Sequence, residues 1–214
     1  MVLSDNCEDL VINKNNFDHI FIAGSIWSNG VDYAALHKSL NGGASWTHKK
    51  LSTSKNSYAY AVAIHPSNDN IVYAGGSVAD KPTVFKSTNG GSSWSKTTLI
   101  GGYYPVYALA VDPNTPSRIY AGTWQGIFWS ANSGSSWTRR GGFGAVCLKI
   151  NPNNPSIIYA GGIDGVYVST DYGNTWNEFN DGLTIKDVQW LDIDKSHKIL
   201  YAATAGGGVY KRTL

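Results

Sequence analysis

The sequence predicts an all-β chain built from five repeats of one four-stranded unit, and three observations predict it. A stretch of the pattern Ser-x-Asn/Asp-x-Gly-x-Ser/Thr-Trp occurs four times, as SLNGGASW (39–46), STNGGSSW (87–94), SANSGSSW (130–137) and STDYGNTW (169–176), with starts 48, 43 and 39 residues apart. An apolar tetrapeptide precedes each copy, as FIAG, VYAG, IYAG and IYAG, and a fifth version, LYAA, ends at Ala203. Charged residues make up 15% of the chain, below the roughly 25% of an average domain. Gly, Ser, Asn, Trp and Tyr are plentiful, the mix of short strands joined by tight turns.

Each unit reads in the same order. An alternating apolar segment opens it, a polar turn follows, and the tetrapeptide forms the return strand, as in YALAVDPNTPSRIYAG and VCLKINPNNPSIIYAG. A short third strand comes next, GIFWS or GVYVS, and a fourth starts at the motif tryptophan. Four antiparallel strands in about 40 residues match one blade of a β-propeller. The units fall near 9–48, 58–97, 106–140, 145–179 and 187–214, and 1–214 reads as a single propeller domain. The fifth unit has its hairpin and third strand, GGVYKRTL, but neither the motif nor a fourth strand. Such an edge is sticky, so a strand near Val2–Ser4 in MVLSDN is expected to pair beside GVYKRTL and complete the blade. The alternative is pairing with another copy, so the chain is expected to be a monomer or an edge-paired oligomer.

The eight-residue motif needs no catalysis to explain it. The oxygen-bearing side chains of Asn41, Asn89, Asn132 and Asp171 accept backbone N–H bonds across a turn. Gly43, Gly91, Gly134 and Gly173 supply positive φ, and Trp46, Trp94, Trp137 and Trp176 supply apolar surface for packing between blades. Ser39, Ser87, Ser130 and Ser169 open the four copies. The pattern resembles the Asp-box of the bacterial neuraminidase repeat propellers, and the repeats cover nearly the whole chain. The resemblance implies that each motif is the turn between the third and fourth strands of a blade. Three of the four copies carry Asn where that family has Asp. An amide cannot lose a proton as a general acid or base must, so the motif is read as a structural fastener.

Function is expected on the face shared by the loops between second and third strands and the loops between blades, by analogy of fold. That face is expected to carry Trp27, Asp32, Tyr103, Tyr104, Trp124, Gln125, Arg140 and Asp164, with Asp80, Lys81, Phe143, Asp181, Lys186 and Asp187 nearby. Aromatic rings beside polar groups suit a glycan or a protein partner. Trp129 and Trp190 fall within strands and are assigned to packing.

Relatives of the resembled family include sialidases, xyloglucan-active hydrolases, sortilin-like receptors and a photosystem II assembly factor. Sialidases require an arginine triad and a Tyr/Glu pair. The only arginines here are Arg118, Arg139, Arg140 and Arg212, with Arg118 in a hairpin turn. Xyloglucan-active enzymes place a catalytic Asp in a loop like YAGGIDGVY, which makes Asp164 the weak catalytic candidate. An inverting glycosidase also needs a second carboxylate about 6.5–9.5 Å away. The leading expectation is a non-catalytic binding or scaffolding module for a protein or glycan. The alternatives are a glycoside hydrolase or a piece of one, and a self-assembling structural subunit.

Other classes find no support. Lys and Arg number 17 against 15 Asp and Glu and are scattered, so nucleic acid is not an expected partner. The five histidines show no ligand-like spacing, and phosphate loops are absent, so neither metal nor cofactor is expected. His65 stands where the other hairpins have Asp112 and Asn151, a turn position. Cys7 and Cys147 suggest no disulfide framework, and Cys147 lies in an apolar run. No window approaches the roughly 18 apolar residues of a membrane span. MVLSDNCEDL lacks the flanks of a signal peptide. The sequence names no compartment, and the family resemblance is compatible with an extracytoplasmic one.

Overall fold

The computed structural model describes residues 6–196 and 198–214. Every regular element among them is a strand, nineteen in five sheets, and neighbouring strands run antiparallel. The first sheet holds β1 (Cys7–Ile12), β2 (Ile20–Ser28), β3 (Val31–Ser39) and β4 (Thr47–Lys50). The second holds β5 (Tyr58–Ile64), β6 (Val72–Val78), β7 (Lys81–Ser87) and β8 (Ser95–Thr98). The third holds β9 (Ala108–Val111), β10 (Ile119–Thr123), β11 (Gly126–Ser130) and β12 (Thr138–Arg139). The fourth holds β13 (Cys147–Ile150), β14 (Ile158–Gly162), β15 (Gly165–Ser169) and β16 (Asn177–Glu178). The fifth has three strands, β17 (Val188–Asp194), β18 (Ile199–Thr204) and β19 (Gly208–Thr213). Strand order follows chain order in each sheet, so each is a meander.

The chain divides into two compact units, Met1–Leu109 and Ala110–Leu214, with the boundary inside β9. In the first unit Phe21, Leu36, Val72 and Phe85 belong to one buried cluster. In the second, Tyr159, Val188, Leu191 and Leu200 form another. The strand expected near Val2–Ser4 lies outside the described residues. At the near end of the described chain, Asn6 O accepts the Ser25 N–H at 3.1 Å and β1 begins with the next residue.

Two kinds of turn repeat. Between first and second strands, a side chain caps the turn two residues on: Asn13 Oδ1 accepts from Asn15 N, Asp112 Oδ1 from Asn114 N, Asn151 Oδ1 from Asn153 N and Asp194 Oδ1 from Ser196 N, at 2.8–2.9 Å. His65 takes the same part through Nδ1, which accepts from Ser67 N at 3.2 Å. Asp112 is buried and also accepts from Arg118 Nη1 at 2.8 Å.

Between third and fourth strands lies the eight-residue motif, and its four copies share one hydrogen-bond plan. The buried serine Oγ of Ser39, Ser87, Ser130 and Ser169 accepts the N–H of Gly43, Gly91, Gly134 and Gly173 at 2.7–2.9 Å and donates to the Asn or Asp Oδ1. That Oδ1 accepts the N–H of Ser45, Ser93, Ser136 or Thr175 at 2.8–2.9 Å. The tryptophan Nε1 donates to the glycine carbonyl at 2.9–3.2 Å. Gly43, Gly91, Gly134 and Gly173 have φ of +77 to +90°. The preceding residue is also left-handed in every copy, including Ser133 (+56°) and Tyr172 (+60°), which the sequence pattern did not disclose. The four tryptophans are half-buried, less than full packing between sheets requires.

Trp190 departs from the packing expected of it: it is 52% exposed. A bulge between Val188 and Trp190 inserts Gln189, and Leu191 takes the buried position instead. Trp129 is half-buried, beneath the Arg140 guanidinium at 3.9 Å.

Candidate functional site

Each compact unit holds four of the eight residues singled out by the sequence. In the Met1–Leu109 unit, Trp27 on β2 pairs across the hairpin with Asp32 on β3. Trp27 is 61% exposed and Tyr103 77% exposed, and Tyr104 is also exposed. Asp32 is anchored from below, its Oδ1 accepting from the buried Ser25 hydroxyl at 3.0 Å.

The structure adds three tyrosines that sequence reasoning passed over. Tyr58 stacks on Tyr60 with centroids 5.9 Å apart, and Tyr60 meets Tyr107 at 5.1 Å. A bulge between Ala59 and Ala61 makes Tyr60 the extra residue of β5 and re-aims its ring. The corresponding bulge in β1 makes Glu8 the extra residue there. The signal was present as YAY at 58–60 and YYPVY at 103–107.

Electrostatics tie these groups together. Burial pushes the Tyr58 hydroxyl up, and Asp32, by charge and by a hydrogen bond, and Asp80 add to it. The Tyr60 hydroxyl is pushed up to about 12 by burial, then by Tyr107, Glu8, Tyr58 and Asp32. Burial and Tyr104 raise Tyr107. These phenols are therefore held protonated as donors beside carboxylate acceptors, the reverse of an activated tyrosine nucleophile. The β6–β7 hairpin that carries Asp80 has Ala79 and Asp80 both left-handed, at φ +50° and +61°. Glycine or asparagine would adopt that conformation at lower cost, and such strain gathers at functional sites.

In the Ala110–Leu214 unit the four candidates take separate parts. Trp124 and Gln125 form the two-residue tip between β10 and β11, with Trp124 46% exposed. Gln125 O accepts from Arg139 Nη2. Arg140 is committed within the fold: its guanidinium covers Trp129, and its Nη1 donates to Asn174 Oδ1 in the 169–176 turn. That places Arg140 in the seating of the turn. Asp164 is exposed at the tip between β14 and β15, where Asn180 Nδ2 reaches its carbonyl at 3.3 Å and Glu178 Oε2 at 3.4 Å. Burial raises the Tyr167 hydroxyl, with Glu178 and Asp164 adding to it. Glu178 is thus a carboxylate in the surroundings of Asp164.

Two histidines also meet. His37 and His48 face each other across β3 and β4 with Nδ1···Nδ1 at 2.6 Å. Among the described residues no group of three His, Cys, Asp or Glu side chains is placed to hold a metal ion. Cys147 is buried, which pushes its thiol up to about 12 and leaves it inert. No helix among the described residues is long and apolar enough to cross a membrane.

Comparison with known proteins places the fold. No family model matches the chain, and no curated protein matches it in sequence. Among solved structures it is similar to an ancestral GH74 enzyme, with TM-score 0.78 and 21% identity over 99% of this chain and 31% of that one. It is also similar to the GH74 enzyme of Niastella koreensis, with TM-score 0.51 and 15% identity over 95% of this chain and 47% of that one. These neighbours are β-propellers, and the likeness is one of fold. The chain spans less than half the length of either enzyme.

Proposed function

We propose that the chain is a non-catalytic β-propeller module that binds a glycan through the tyrosine-rich surface of its Met1–Leu109 unit. The observation that carries this reading is the run Tyr58, Tyr60 and Tyr107 beside Asp32, with Trp27, Tyr103 and Tyr104 exposed in the same unit. Sugar rings present C–H faces that stack on aromatic rings and hydroxyls that both donate and accept. Asp32 supplies an anchored acceptor, and the protonated phenols supply donors. Titration with neutral β-glucan oligosaccharides, followed by NMR or calorimetry, tests the reading. Saturable binding is expected, weakened about tenfold or more in Trp27→Ala and Tyr60→Ala. Failure of a broad panel of neutral and acidic glycans to bind the folded chain overturns it.

A second reading is favoured by one observation: the chain's structural neighbours are GH74 glycoside hydrolases. In that reading Asp164 acts with Glu178, or with a carboxylate beyond this chain, on a β-glucan. Turnover of xyloglucan that Asp164→Asn abolishes would establish it in place of the binding reading.

A further inference from the structure

Two of the eight-residue turns are seated on the adjoining sheet of their own unit. In the Met1–Leu109 unit, a Cβ on Gly91 would stand 3.4 Å from Leu36 Cδ2 and 3.8 Å from Phe21 Cε1, and Lys38 Nζ donates to Gly90 O at 2.8 Å. In the Ala110–Leu214 unit, a Cβ on Gly173 would stand 3.0 Å from the Tyr120 ring, and the Tyr120 hydroxyl donates to Tyr172 O at 3.0 Å. The seat is thus an aromatic ring on the second strand, reinforced in the first unit by an aliphatic side chain on the third. A donor side chain holds a turn carbonyl in both.

Strand register locates the same seat elsewhere. Phe21, Tyr120 and Tyr159 each follow the residue paired with a motif serine, as Ile20↔Ser39, Ile119↔Ser130 and Ile158↔Ser169 show. Leu36 and Val166 each stand three residues before a motif serine. Tyr159 and Val166 therefore repeat the seat made by Phe21 and Leu36. Beside them lies a cavity of about 300 Å³, lined by Val166, Phe179, Leu183, Ala202, Tyr210 and Arg212 among others. Tyr159 packs on Phe179 at 5.6 Å, and the Arg212 guanidinium covers the other ring at 3.8 Å. Arg212 Nη1 is buried with no hydrogen-bond partner, an N–H in need of an acceptor. Among the described residues the adjoining sheet has three strands, with β19 at one side, whereas the other four sheets have four.

We propose that this cavity is the seat for a fifth turn of the pattern Ser-x-Asn/Asp-x-Gly-x-Ser/Thr-Trp, carried by a polypeptide segment outside the described residues. Its glycine lies on Tyr159 and Val166, a turn carbonyl accepts from Arg212 Nη1, and the residues after its tryptophan add a strand along β19. A second copy is a poorer donor, because each turn of this chain runs directly into a fourth strand already paired with its own third strand.

The probe is a synthetic peptide with the sequence of residues 87–98, STNGGSSWSKTT, added to the full chain. Saturable binding and a melting temperature raised by several degrees are expected. Binding should weaken about tenfold or more for the Gly91→Val and Trp94→Ala peptides, and for the chain carrying Ala202→Trp, which fills the cavity. Should that variant fail to fold, Arg212→Gln carries the same expectation through the lost carbonyl bond. No binding of the parent peptide, equal binding of the altered peptides, or unchanged binding by the folded variants overturns the assignment. A concentration-dependent dimer of the peptide-free chain that Ala202→Trp abolishes would also overturn it, by giving the cavity to a second copy.

Discussion

At the scale of single residues, the motif turn depends more on its serine and glycine than on its acid. In three copies the amide Nδ2 donates to a serine hydroxyl, whereas in the fourth the Thr175 hydroxyl donates to Asp171 Oδ2 at 2.7 Å. Reversing one rotatable hydroxyl accommodates either side chain. Asp171→Asn is therefore expected to cost less than about 1 kcal/mol at neutral pH. Ser169→Ala, which strips the acceptor from the buried Gly173 N–H, is expected to cost about 1–3 kcal/mol. Urea melts rank the two, and an equal or inverted order would refute the plan. Asp171 also gives a pH signature. Hydrogen bonds from Thr175, its hydroxyl first and then its backbone N–H, lower the carboxyl to about 2, against about 3.9 in an unfolded chain. A depressed carboxyl stabilises fully above the unfolded value and loses that contribution as pH falls from about 4 toward 2. Asp171→Asn should remove that part of the acid sensitivity, and melts at pH 7 and pH 2.5 would reveal it.

At the scale of elements, the strand glycines permit first strands to pack closely. A Cβ on Gly161 of β14 would stand 2.7 Å from Cys147 Sγ and 2.7 Å from Val188 Cγ1 of β17. A Cβ on Gly75 of β6 would stand 2.5 Å from Val106 Cγ1. Both glycines close the apolar tetrapeptide of their repeat, and these close approaches account for them. Gly161→Ala is expected to cost about 1–3 kcal/mol through overpacking, with Val188→Ala restoring part of the loss in the double variant. Additive losses in that pair would show that the contact is not responsible. Trp176 belongs to the same scale. It is half-buried, bonded to Gly173 O and edge-on to Phe143 at 5.5 Å. Its truncation to alanine is expected to cost about 2 kcal/mol, below the 3–5 typical of a fully buried indole.

At the scale of the whole molecule, the candidate site depends on rings from β5 and from the segment before β9, with Asp32 supplied by the β2–β3 hairpin. Because the Tyr60 hydroxyl is raised to about 12, it stays a donor where ordinary tyrosines, near 10, begin to ionise. Glycan affinity is therefore expected to stay level from pH 7 to about pH 10, and a fall centred below pH 10 would remove Tyr60 from the donors.

Much of the fold was legible because its signals are local. The serine, the oxygen acceptor and the glycine of each motif satisfy one another within five residues, so the pattern survives in the sequence whatever surrounds it. The capped hairpins at Asn13, Asp112 and Asn151 are local in the same way. The second left-handed position was local yet hidden, because Ser133 and Tyr172 occupy it without the glycine that announces such a backbone. What only the tertiary structure decided rests on contacts between distant residues. The bulges that re-aim Tyr60 and expose Trp190 arise from strand pairing, which a period-two pattern cannot foresee. Arg140 reads as a free cation until Trp129 and Asn174 are seen around it. Tyr60 and Tyr107 meet across 47 residues of chain, at 5.1 Å, because the segment before β9 runs along the second sheet, with Val106 N–H donating to Gly76 O at 3.0 Å. The sequence alone determined the repeat and its turns, whose energies close over short spans. Packing decided the candidate site, where burial and neighbouring carboxylates together keep the phenols protonated to higher pH than an exposed tyrosine.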